Sequence, residues 1–201
     1  MVFGIILGVS GFNHGFFEAL QGTAPTPGFI IQAIGEADRM WIHGTEEAFT
    51  LAPNFLIAGI LSMTIGIFII VWSIAFIKKK GGAIILLLLF ILLFLSGGGI
   101  AQIVFFLPTW AYATRINKPL SWWSRAMSKP FRQRIAGIWK ISFVISSVLF
   151  LIALGIAIFG YFPGITDPEA LLYTCWAGLL VSFILLHVSF ISGFAYDIEH
   201  A

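Results

Sequence analysis

The chain has 201 residues, of which 59% are apolar and only 10% charged, and its mean hydropathy is +1.00. A soluble domain carries about 25% charged residues, because a small fold must turn a polar surface to water. The composition therefore excludes a soluble globular fold and indicates an all-α, polytopic helical bundle in the lipid bilayer, with no sizeable soluble domain beside it. The net charge of +2 is too small to indicate a nucleic-acid partner.

A membrane-crossing helix needs about 20 mostly apolar residues, and five segments qualify: 2–20, 51–77, 83–110, 141–162 and 171–196. The first carries Asn13, His14 and Glu18, and either spans or enters only partway. It has no Lys or Arg before Arg39, so it lacks the basic start of a secretory signal and is expected to stay in the mature protein. Lys78, Lys79 and Lys80 close the second span. The third is long and is interrupted by Gly97, Gly98 and Gly99, read as a kink or close-packing point. Pro163, Gly164 and Asp167 mark the turn before the fifth. The single cysteine, Cys175, lies within that last apolar run and reads as a small buried side chain.

Small residues recur at helix-packing spacing: Gly4, Gly8, Gly11 and Gly15, then Gly59, Ser62 and Gly66, then Gly178, Ser182 and Ser189. Such faces let helices approach closely in lipid. They serve packing within the chain or a homo-oligomer or membrane-protein partner. The segment 115–140 holds Arg115, Lys118, Arg125, Lys129, Arg132, Arg134 and Lys140 with no acid among them, together with Trp122, Trp123 and Trp139. This is the composition of an interfacial stretch. Trp122, Trp123, Arg125, Lys129, Arg132 and Arg134 are the expected contacts to anionic lipid headgroups.

Basic loops favour the cytoplasm. With five spans, residues 21–50, residues 115–140 and the C-terminus share the cytoplasmic side of a plasma membrane. Lys78–Lys80 then fall outside, against the rule.

The chemistry-bearing pattern is an echo near the N-terminus. His14-Gly15-Phe16-Phe17-Glu18-Ala19 recurs as His43-Gly44-Thr45-Glu46-Glu47-Ala48. On a helix, His and Glu four apart share a face. Two such pairs, His14 with Glu18 and His43 with Glu47, offer two imidazoles and two carboxylates to one divalent metal. Ser10, His14, Glu18 and Gln21 form a polar strip that must point into protein or water, since charge facing lipid is costly. The plainer reading is a structural polar cluster, with Glu46 and Glu47 favoured by the positive end of the second helix. Haem ligation by two of His14, His43 and His187 is a further option, and Gln102 suits an interhelical hydrogen bond. The sequence contains no P-loop, G-x-G-x-x-G, H-E-x-x-H, G-x-S-x-G or C-x-x-C. Three function classes remain: a membrane-embedded metal- or carboxylate-dependent enzyme or metal- or proton-binding protein using His14, Glu18, His43 and Glu47, a small transporter or channel-like subunit, and an accessory or assembly subunit with no site of its own.

Overall fold

The computed structural model describes residues 1–200. Contacts divide the chain into two compact units: residues 1–114 with 157–160, and residues 115–156 with those from Tyr161 onward. In the first unit, α1 (Val2–Leu20) leads through β1 (Ile30–Gln32) and β2 (Glu47–Thr50) to α2 (Phe55–Val71), which ends in a π-helical turn, Trp72–Phe76. There follow α3 (Gly82–Ser96), β3 (Gly97–Gly99), a 3-10 turn at Ile100–Gln102 and α4 (Ile103–Ala113). The second unit holds α5 (Ser121–Ala126), α6 (Lys129–Ile135), most of α7 (Trp139–Phe159) and α8 (Pro168–Glu199).

Among the described residues, four helices are long and apolar enough to cross a membrane: α1, α2 with its π-helical turn, α7 and α8. They mark the chain as an all-α membrane protein. The expected third span, 83–110, is not one helix. At Gly97 the backbone takes φ +135°, a conformation that side-chain-bearing residues rarely adopt, and three consecutive glycines give a helix little reason to continue. The chain reverses there. Phe90 of α3 stacks on Phe106 of α4 at 4.5 Å. Past the turn, Gln102 bonds Ser10 and Phe105 stacks on Phe3, further toward the start of α1. The run is therefore a helical hairpin of 15 and 11 residues. Its longer arm is about 22 Å at 1.5 Å per residue, short of the roughly 30 Å hydrocarbon core. Within the first unit, α4 thus runs back toward the end from which α3 started.

Glycine lets α1 and α2 touch backbone to backbone. A Cβ on Gly8 would come 2.7 Å from the Gly66 carbonyl, and one on Gly15 would come 2.5 Å from the Gly59 carbonyl. Both small-residue faces thus meet each other inside the chain. Asn54 caps α2 by accepting from the Ile57 amide at 2.9 Å.

The loop between α1 and α2 folds into a sheet of order β1-β2-β3, with Ile31 opposite Ala48 and Ala48 opposite Gly99. It also closes the end of α3, whose last carbonyls have no helical partner. Leu51 N donates to Leu95 O at 2.9 Å, and Thr50 Oγ1 donates to Ser96 O at 3.0 Å. Ile31, Ala33, Ala48 and Phe55 form the small apolar core beneath. Ile30–Gln32 form β1, and Ile31 and Ala33 enter this core.

In the second unit α7 and α8 pack through the small residues of α8. Ser146 Oγ donates to Ser182 O at 2.7 Å, and Ser182 Oγ returns the bond to Ser146 O at 2.8 Å. Cys175 is buried and its Sγ donates to Ala153 O at 3.3 Å, a packing role. Asp167 caps α8 by accepting from Ala170 N at 2.8 Å, with Pro168 in the first turn.

Two substitutions test this packing. Gly59→Leu would drive a side chain into the Gly15 carbonyl and the Ala19 amide. It should lower the thermal midpoint in detergent by the equivalent of about 1–3 kcal/mol, the usual cost of overpacking. Gly193→Leu, with open space around it, should not. Arg132 donates to Glu199, Ser124 O and Met127 O. Arg132→Gln should therefore speed hydrogen exchange across 121–135, and Arg134→Gln, which is exposed, should leave it unchanged.

Candidate functional site

The polar strip of α1 is met, turn by turn, by the hairpin and the sheet. Ser10 Oγ accepts from Gln102 Nε2 at 2.9 Å. One turn on, His14 Nε2 lies 2.7 Å from Glu46 Oε2. Glu18 follows, wholly buried. Gln21 ends the strip, its amide donating to Gln32 O at 3.1 Å and Ala33 O at 2.9 Å. The i, i+4 spacing read from the sequence is what brings these side chains onto one buried face.

Glu18 is the unusual member. Neither carboxylate oxygen has a hydrogen-bond partner. The Ser62 hydroxyl lies beside it but closes no bond. The carboxyl packs against the unwound glycine backbone: a Cβ on Gly97 would come within 2.5 Å of Glu18 Oε1, and one on Gly99 within 2.5 Å of His14 Nε2. Any residue but glycine at these two positions would displace the Glu18 and His14 side chains. A buried polar group without a partner costs several kcal/mol by most measures, and an ionised one costs more. A carboxyl kept in this state is a candidate for function.

The second copy of the echo does not build a matching pair. Gly44 N bonds Trp41 O in a tight turn and Glu47 begins β2, so His43 and Glu47 are not one helical turn apart and share no face. His43 sits edge-on to Trp41 with ring centroids 5.3 Å apart. Glu47 is exposed and lines a cleft of about 380 Å³ with Gln21, Gln32, Glu36 and Phe55. Among the described residues, no three His, Cys, Asp or Glu side chains are grouped closely enough to hold a metal ion. The set His14, Glu18, His43 and Glu47 is thus not gathered. His187 belongs to the second unit, where its Nδ1 lies 2.9 Å from Phe183 O.

Sequence reading missed Glu46. The signal was a two-residue period along β2, where Ala48 and Thr50 are buried and Glu47 is exposed. Glu46 has the same parity as the buried positions and so points inward with them. Gly97 and Gly99 were noticed as a break in a helix, but not as the floor beneath Glu18.

The residues expected at lipid headgroups divide into two groups. Trp122, Arg125, Lys129 and Arg134 are exposed. Trp123 instead packs on the cluster of Met127, Ala136 and Ala195, and Arg132 is held by Glu199 at 2.8 Å. These two brace α5 and α6 against the end of α8.

No protein-family model, no curated protein and no solved structure matches this chain, so the functional reading rests on the geometry of Glu18 and its neighbours.

Proposed function

We propose that this chain is a multi-pass plasma-membrane protein that binds and releases a proton at Glu18 as part of a transport step. The observation that carries the reading is the Glu18 carboxyl itself: fully buried, unpartnered, and set against the glycine backbone of a broken helical segment. Non-helical backbone at membrane depth is tolerated only where protein or a cavity encloses it, and transporters build substrate and coupling-ion sites at such breaks. A negative charge at Glu18 has no cationic neighbour to offset it, and a proton removes the cost. His14 and Glu46, one helical turn away, supply a second proton-carrying pair.

Residues 115–140 and the C-terminus lie on the cytoplasmic side in this reading. Trp122, Arg125, Lys129 and Arg134 are then at anionic headgroups. An accessory subunit acting through its small-residue faces is less well supported. Gly8, Gly15, Gly59 and Gly66 are already in contact with one another.

Carbodiimide chemistry offers the test, since a hydrophobic carbodiimide reacts with protonated carboxyls inside membranes. It should modify the peptide containing Glu18, and Glu18→Gln should abolish that label. In proteoliposomes under an imposed potential, the protein should accelerate proton uptake, and Glu18→Gln should return it to the level of empty vesicles. Uptake and labelling that survive Glu18→Gln unchanged would reject the proposal.

A further inference from the structure

The reversal at Gly97 returns the chain to the end of the first unit from which α3 starts. Residues 82–113 leave from one end of the first unit and return to it, since Phe105 reaches Phe3 and Phe90 meets Phe106. Lys78 lies at that end too, close enough to the Met1 amino group for its charge to add to burial in lowering the amino pKa. The Lys78–Lys80 turn and the C-terminal end of α4 therefore lie at the same end of the first unit.

Within the first unit, Lys78, Lys79 and Lys80 lie at the end opposite the sheet. The sheet end of that unit carries Glu36, Asp38, Glu46 and Glu47 beside the single Arg39. Basic residues within short loops favour the cytoplasmic side, so Lys78–Lys80 join the cytoplasmic side proposed for residues 115–140. The sheet, and with it the mouth of the polar strip, lies on the other side.

We propose that the Glu18 site opens to the non-cytoplasmic compartment and exchanges its proton with that side through the His14–Glu46 pair. Exposure falls stepwise along this route. The Glu46 side chain is 26% exposed and that of His14 is 4% exposed, while Glu18 is closed to solvent. The exchange route rests on Glu18 being a proton site, and the sidedness does not.

Two measurements separate these claims. For sidedness, Thr23→Cys, Lys79→Cys and Ser128→Cys each place a thiol at an exposed position, with the buried Cys175 as the background. A membrane-impermeant maleimide on intact cells should label Thr23→Cys, and should reach the other two only after permeabilisation. Labelling of Lys79→Cys and Ser128→Cys from opposite sides overturns the shared face. Labelling of both from outside, with Thr23→Cys protected, overturns the outward-facing site. For the route, Glu46→Gln should reduce outside-to-inside proton uptake toward the Glu18→Gln level, while Glu47→Gln, one residue along but exposed, should match wild type. Equal behaviour of Glu46→Gln and Glu47→Gln overturns the route. If Glu18→Gln has no effect on uptake, the proton site itself fails while the cysteine pattern stands.

Discussion

A polypeptide that reverses direction among apolar helices must find partners for its peptide groups. At Gly97–Gly99 most of the first unit is organised around that requirement. β2 lies along the turn and bonds the last carbonyls of α3 through Leu51 and Thr50. For β2 to be there, the loop after α1 must fold back as a strand pair, with β1 on its other edge. Folding back in that register turns Glu46 inward, onto His14. The site follows from the satisfaction of a broken backbone.

The composition of α1 fits the same logic. Its hydropathy is the lowest of the four long helices, and half of its most apolar window is buried, against 28% for α7 and α8. A helix facing lipid needs an apolar surface all round. A helix enclosed by protein can carry glycines on one side and Ser10, His14 and Glu18 on another. The feature that weakens α1 as a membrane span by composition is a consequence of its place at the centre of the unit.

Much of this was legible in sequence. Runs of about 20 apolar residues marked the long helices, and helical spacing brought out the small-residue faces of α1 and α2, which are in contact. The strip Ser10, His14, Glu18 and Gln21 was visible for the same reason. The reversal at Gly97 was not legible, because the residues on both sides of it are equally apolar and nothing in polarity marks a change of direction. The hint lay in charge: a single third span sets Lys78–Lys80 against the other basic residues, contrary to the usual bias. The echo misled because matching letters do not share geometry. His14 and Glu18 are four apart on a helix, whereas His43 and Glu47 straddle a turn and the start of a strand.

The donor set also decides between kinds of ion. A hard divalent cation needs several oxygen ligands around it, commonly with more than one carboxylate, and zinc needs about four nitrogen, sulfur or oxygen donors. Here Glu46 is committed to His14, and Glu18 stands apart from both against peptide groups of glycine. A single carboxyl in such a place suits a ligand that needs one strong acceptor, and the proton is the simplest. The neighbour of Glu18, Gly97, begins the strand whose Gly99 pairs with Ala48, two residues along the chain from Glu46. In the proposed function, the broken helix holds the carboxyl against the strand that borders its own entrance.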